Sequence, residues 1–195
     1  MIKVTLKGDV IKEYEAGTTI ADIAKSIGMG LYKSACGGKI NGNYCDLRTA
    51  VNEDCALEIV TFDEIEGKKT FWHTASHIMA QAVKRLYPNV KLAIGPAIDN
   101  GFYYDFDMDS VTPDKFEQIE KEMKKITKEN LPIKVFSLPR NEAIQLMKDR
   151  GEIYKVEHID DLDSDATITF YQQGDYIDMC VGPHLCYTKA LKAFK

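Results

Sequence analysis

From Ile2 to Lys7 apolar and polar residues alternate, Gly8-Asp9 interrupts, and Val10 to Glu15 alternates again, which predicts two strands joined as a hairpin. Ile20, Ile23, Ala24 and Ile27 then recur at helical spacing. Gly17-Thr18-Thr19 supplies a turn and an N-cap ahead of them, and Gly28 ends the pattern. Ala35 to Ile40, before an Asn41-Gly42 turn, and Ala56 to Phe62 read as two further strands.

The order ββαββ is that of a small ubiquitin-like β-grasp domain, placed at residues 1–62. Asp63-Glu64-Ile65-Glu66-Gly67-Lys68-Lys69 is charged, has one apolar residue and carries a glycine, so residues 63–69 are the predicted linker. Beyond it Thr70 to Tyr87 is an amphipathic helix stopped by Pro88. Leu92 to Ile98 and Phe102 to Phe106 form a strand pair turning at Asp99-Asn100-Gly101.

Thr112-Pro113-Asp114 opens another helix, with Phe116, Ile119, Met123 and Ile126 as its buried stripe and Lys121, Lys124, Lys125 and Lys128 off it. A strand (Ile133 to Ser137), a short helix (Asn141 to Arg150, Gly151 at its C-cap) and a hairpin (Thr167 to Gln172, Tyr176 to Cys180) complete residues 70–195. Helices with mostly hairpin-linked strands predict an α+β fold in both domains. There is no internal repeat.

Composition narrows the class. The 195 residues are 45% hydrophobic and 28% charged with a net charge of −5, which fits a globular protein and excludes a disordered or fibrous one. No apolar run reaches the length of a membrane span and the N-terminus lacks a signal-peptide core, so a cytoplasmic protein with no membrane partner is expected. Five cysteines, at 36, 45, 55, 180 and 186, suggest reduced thiols or a metal rather than a disulfide framework. The acidic balance argues against a clamp on duplex DNA, although not against a transient nucleic-acid substrate.

Three of the four histidines fall in two short motifs, His73-Thr74-Ala75-Ser76-His77 and Cys180-Val181-Gly182-Pro183-His184. Residues four apart on a helix share a face, so His73 and His77 can converge on one atom or substrate. Phe71, Trp72, Ala75, Ile78, Met79, Ala82, Val83 and Leu86 form one arc of that helix, with the two imidazoles nearly opposite, which counts against a pair of hydrogen-bonded core histidines. Taken alone, an HxxxH without the glutamate of HExxH is as well read as a solvated pair with no role. Gly182-Pro183 must turn, and a turn can aim Cys180 and His184 the same way.

Three imidazoles and a thiol make a plausible tetrahedral zinc set. The quartet leaves three readings open: a structural zinc, a catalytic zinc with one residue held back, or a metal-free site in which an imidazole is the general base. Asp178, two residues before Cys180 on one strand face, could orient a histidine or bind a substrate amine; a solvated strand aspartate is an equal reading.

The stretch Ala35-Cys36-Gly37-Gly38-Lys39-Ile40-Asn41-Gly42 resembles a TGS domain. HTASH, GFYYDF and DMCVGPH resemble the editing domain of bacterial threonyl-tRNA synthetases, in the same order and over nearly the whole chain. The resemblance implies TGS and editing domains that precede a class II catalytic core, absent here, which would take ATP, Mg and Zn. The end at Phe194-Lys195, eleven residues after His184, predicts a fragment whose editing domain lacks its last segment.

It also implies a reaction. Serine is threonine less one methyl, worth only about 1 to 3 kcal/mol of discrimination, so a second sieve that hydrolyses seryl-tRNA(Thr) is needed. His73, His77, Cys180 and His184 match the family's editing quartet. Lys155 and Asp178 match further functional positions, the lysine stabilising developing negative charge and the aspartate holding the serine amine or hydroxyl. Tyr103 and Tyr104 alternate in direction, and Tyr104 is the better substrate contact.

Alanyl-type editing domains with a similar quartet bind zinc, usually with CGGTH where this chain has CVGPH. The threonyl form implies hydrolysis with no cofactor required, zinc at the quartet being the alternative. The implied partners are the tRNA(Thr) acceptor end and its seryl-adenosine ester, with a monomeric fragment of a homodimeric enzyme. Neither the domain at 1–62 (7 basic, 8 acidic) nor the rest (18 basic, 22 acidic) is strongly cationic, which predicts weak, salt-sensitive tRNA binding. Local patches (Lys68, Lys69; Lys84, Arg85; Lys121 to Lys128; Lys189, Lys192, Lys195) could touch RNA, but solvated helix faces are the better reading. A TGS-containing RNA-binding or regulatory module with a structural zinc is the alternative function.

Overall fold

The computed structural model describes residues 1–194. Two compact units divide the chain, the first made of Met1–Thr74 with Gly182–Cys186, the second of Ala75–Val181 with the stretch from Tyr187 onward.

In the first unit β1 (Ile2–Leu6) and β2 (Val10–Tyr14) form the expected antiparallel hairpin, Ile2 opposite Tyr14 and Leu6 opposite Val10. β3 (Thr18–Thr19) leads into α1 (Ile20–Ile27), where the Thr19 hydroxyl accepts from the Asp22 amide at 3.2 Å and Ile20, Ile23 and Ala24 are buried. α2 (Met29–Ser34) follows; it buries no residue, so it has no stripe for the sequence to betray. β4 (Ala35–Ile40) turns through Asn41 (φ 49°) and Gly42 (φ 85°) into β5 (Asn43–Cys45), the left-handed pair a tight hairpin requires.

After β6 (Ala50–Val51), β7 (Cys55–Thr61) lies parallel to β1 and antiparallel to β4, giving the sheet order β2-β1-β7-β4-β5. Ile2, Val4, Ile20, Ile23, Leu47 and Leu57 fill its core. This is the β-grasp arrangement, with short strands added.

The helix expected at Thr70 is longer. α3 (Ile65–Leu86) begins inside the predicted linker, so Ile65 to Lys69 is helical. Two observations account for this. Glu64 and Glu66, at the positive end of the helix dipole, lie 3.5 and 3.1 Å from the Lys39 ammonium, and the Thr61 amide donates to Glu64. Gly67 is a packing glycine rather than a flexible one, because a Cβ there would stand 1.8 Å from the Thr61 carbonyl oxygen. Only Asp63 and Glu64 lie between β7 and α3 with Phe62.

In the second unit the expected strand pair is broken into two short ladders. β8 (Lys91–Leu92) pairs β11 (Phe106–Asp107), and β9 (Ala97–Ile98) pairs β10 (Gly101–Phe102). Between them Gly95 meets the Tyr104 ring, which an added Cβ would approach to 2.0 Å. α4 (Pro113–Glu129) buries Met123 and Ile126, as expected, but Phe116 is 58% exposed. The packing falls on the later turns, where Thr188 donates to the Ile126 carbonyl, and leaves the first turn projecting.

β12 (Ile133–Pro139), β13 (Thr167–Gln173) and β14 (Tyr176–Met179) form an antiparallel sheet with Tyr171 opposite both Val135 and Asp178. α5 (Arg140–Asp149) and α6 (Ile153–Asp160) intervene, and Met147, Ile159 and Phe170 are central in the core they share with the sheet. α6 is the one helix here without a sequence expectation. A 3₁₀ turn, Thr188–Ala190, follows.

Candidate functional site

α3 is buried on more than its apolar arc. Thr70, Thr74, His77 and Gln81, one i+3/i+4 row on the face expected to meet solvent, are each at most 3% exposed. The solvated-pair reading of His73 and His77 is therefore overturned for His77, and His73 is half-buried. The amphipathic arc was legible; a second, polar face that also packs was not, since polar residues carry no burial signal until their partners are known.

In the first unit the His73 and His184 rings pack with centroids 4.1 Å apart. His184 is fully buried, and its Nδ1 lies 3.2 Å from the Thr74 hydroxyl. That hydroxyl has one proton, donated to the Thr70 carbonyl at 3.0 Å, and it accepts from the Leu185 amide at 3.0 Å. Its remaining capacity is to accept, so His184 donates from Nδ1.

The backbone of His184 is held as closely. Asp46 Oδ2 accepts from its amide at 3.1 Å, while Arg48 donates to the His184 carbonyl at 3.1 Å and to the Leu185 carbonyl at 2.6 Å. Gly182 reaches this stretch with φ 71°, and the Gly182-Pro183 bond is cis.

In the second unit Asp178 is the centre of a buried polar group. Tyr104 and Tyr176 donate to Oδ2 at 2.6 and 2.9 Å, His77 Nε2 is 3.6 Å from the same oxygen, and the Lys155 ammonium is 2.7 Å from Oδ1. Burial alone would raise the Asp178 pKa; the charge of Lys155, then that of His77, and the hydrogen bonds outweigh it and bring it down to about 2. Burial, then the charge of Asp178, pushes the Tyr104 and Tyr176 hydroxyls well above the usual phenol range. Both therefore stay protonated donors.

Lys155, which sequence alone could read as any exposed lysine, is 5% exposed; α6 carries it inward. Tyr104 is buried and Tyr103 is 39% exposed. Asp178 is 2% exposed, which removes the solvated-aspartate reading. Cys180 continues the ladder beyond β14, its amide bonded to the Thr169 carbonyl at 3.0 Å.

His73 and His77 are successive turns of one helix, and Cys180 and His184 bracket one bend. Those four residues are the ones that could hold a tetrahedral zinc ion. The donor set, three imidazoles and a thiol, suits it chemically.

Sequence reasoning missed Asp46, Arg48, Thr74 and Tyr176. Thr74 and Tyr176 stood beside motif residues and could have been asked about. Arg48 precedes its carbonyl partners by more than a hundred residues and bears no local mark.

Part of the cationic patches is neutralised. Lys84 meets Glu152 at 2.6 Å, Arg85 meets Glu129 at 2.6 Å, Lys125 meets Glu122 at 2.8 Å, and Lys124 pairs with Glu120. Lys195 lies outside the described residues. None of the five cysteines is joined in a disulfide. No described helix is long and apolar enough to cross a membrane.

Comparison with known proteins matches residues 2–61 to the TGS domain and residues 168–195 to the "Threonyl and Alanyl tRNA synthetase second additional domain". Over the whole chain it is 59% identical to the threonine-tRNA ligase of Clostridium tetani, 57% to that of Clostridium novyi and 53% to that of Acetivibrio thermocellus. The chain spans about 31% of the length of each of these relatives.

Proposed function

We propose, for a chain that carries a TGS domain and is similar throughout to the N-terminal region of threonine-tRNA ligases, that it hydrolyses the ester of seryl-tRNA(Thr) with an activated water. The observation that carries this reading is the ionised, buried Asp178 held between Lys155, Tyr104 and His77. A buried carboxylate with two phenolic donors and an ammonium suits an amino acid's ammonium and hydroxyl. Serine's amine would bind Asp178, with Tyr104 bordering the side chain, and threonine's extra methyl would be excluded by shape.

The chemistry then needs a base and stabilisation of charge. Water attacks the ester carbonyl while an imidazole, that of His184, takes its proton. Lys155 stabilises the tetrahedral oxyanion. The carbonyl re-forms as the bond to the ribose oxygen breaks, that oxygen takes the proton back, and serine and tRNA leave. His73, His77 and Cys180 line the space around water and ester.

A metal-free site is the reading preferred here. A zinc at His73, His77, Cys180 and His184 would have four protein ligands and would act as a structural clamp. That favours the second reading, an RNA-binding module, for which the donor set of three imidazoles and a thiol is the supporting observation.

One experiment separates them: deacylation of seryl-tRNA(Thr) and threonyl-tRNA(Thr) by the chain and by His73→Ala and Cys180→Ala, with zinc measured in the same preparations. Serine-selective hydrolysis lost in both variants supports the editing reading. Stoichiometric zinc with no hydrolysis supports the module. The tRNA acceptor arm is the proposed partner, with cytoplasmic location.

A further inference from the structure

We propose that Asp46 and Arg48, both in the β-grasp domain, are positioning residues for the His184 imidazole, so that the TGS fold supplies part of the hydrolytic site's scaffold. For its kinetic readout the inference rests on the deacylation reading above.

His184 sits in a bend between a strand end and a short 3₁₀ turn, with no ladder of its own to fix it. Backbone groups in such a place need partners from elsewhere. Asp46 and Arg48 supply them on both sides of one residue, the carboxylate taking the amide of His184 and the guanidinium the carbonyls of His184 and Leu185.

The two are also locked to each other. Arg48 Nη1 is 2.8 and 3.0 Å from the two Asp46 carboxylate oxygens, and the Arg48 amide donates to Oδ1 at 2.8 Å. The short turn that bears them is in turn pinned to α1. The Ala21 amide donates to the Leu47 carbonyl at 2.8 Å and the Ile20 amide to Thr49 at 3.1 Å, with Leu47 itself buried in the β-grasp core.

On the other side of His184, Leu185 is 1% exposed and Cys186 packs against that same core. Three successive residues, 184 to 186, are therefore held by the N-terminal domain. A guanidinium spanning two carbonyls is a geometry that a lysine, with a single point of charge, cannot reproduce. With the backbone fixed, the Thr74 contact at Nδ1 sets the ring, and Nε2 takes one direction. Displacing a reacting group by about 1 Å can cost about a hundredfold in rate.

The test uses the full chain with Arg48→Ala and Arg48→Lys. Two readouts are taken: the ring ¹⁵N and ¹H resonances of its four histidines, assigned by single His→Ala variants, and single-turnover deacylation of seryl-tRNA(Thr) at saturating protein. We expect Arg48→Ala to shift the His184 ring signals, leave those of His158 in place, and slow the chemical step about 10- to 100-fold. Arg48→Lys should recover part of both. In a His184→Ala background, Arg48→Ala should cost less than a further twofold.

Unchanged His184 resonances with an unchanged rate in folded Arg48→Ala overturn the proposal, as does a full additional loss in the His184→Ala background. Should Arg48→Ala not fold, Arg48→Lys is read alone against the same two criteria. Absence of deacylation by the parent chain would sink the hydrolytic reading and leave the resonances to decide the clamp.

Discussion

The Lys155 ammonium and the Asp178 carboxylate lie 2.7 Å apart with side chains 6% and 1% exposed, one from α6 and one from β14. Neither charge can turn to water. Removing one leaves the other buried without compensation, a loss of about 3 to 5 kcal/mol. Urea denaturation of Lys155→Met and of Asp178→Leu should show losses of that order, and Lys155→Met/Asp178→Leu together a smaller one than either. Deacylation should be absent in all three.

The same pair fixes a response to acid. The folded state holds Asp178 at about 2, below its ordinary value of 3.8, so its ionised form is the one that folding favours. Its contribution to stability is complete above about pH 4 and is lost as pH falls towards 2. In that window the midpoint of urea unfolding should fall more steeply for the parent chain than for Asp178→Asn. Equal slopes would mean that other carboxylates dominate.

Thr74→Val keeps shape and removes the hydroxyl that serves both His184 Nδ1 and the Leu185 amide. The orphaned buried groups should cost about 1 to 3 kcal/mol. With Nδ1 no longer forced to donate, the ring is free to protonate at Nε2 instead, and seryl-tRNA hydrolysis should slow at least tenfold. Thr74→Ser should restore both, as followed by melting temperature and single-turnover rate.

Gly95→Ala asks whether Tyr104 must stay where it is. An added Cβ would come within 2.0 Å of the ring, which has to move and take its hydroxyl off Asp178. A loss of about 1 to 3 kcal/mol is expected from overpacking, with weaker discrimination between seryl- and threonyl-tRNA. A variant with unaltered selectivity would remove Tyr104 from the account of specificity.

Metal can be tested directly. If the reaction uses water and imidazole alone, chelator-treated protein should hydrolyse seryl-tRNA at the original rate. Added zinc should inhibit by occupying His73, His77, Cys180 and His184. A rate that falls on chelation and returns with zinc would reverse the preferred reading.

What the chain revealed in advance follows from the range of each signal. Periodicity placed β1, β2, α1, β4 and the β13–β14 hairpin within a residue or two, because a half-buried strand or helix writes its own pattern. It missed α2, which buries nothing, and overvalued Phe116, whose stripe packs only in its later turns. It read Gly67 as slack when the residue is there to let two backbones touch. The site residues stood out as unusual letters in short motifs. Their burial and their supports did not, since Lys155, Thr74 and Arg48 are ordinary letters whose meaning depends on residues far along the chain.

The return of residues 182–186 to the N-terminal unit bears on how such a protein can be divided. A piece starting at residue 63 or 70 would retain all four members of the quartet, yet the segment bearing the last of them would be stripped of the surface on which it rests. Gene-level boundaries drawn from the order of motifs would thus separate a tenant from its foundation. For this architecture, the smallest portion worth excising begins at the first strand.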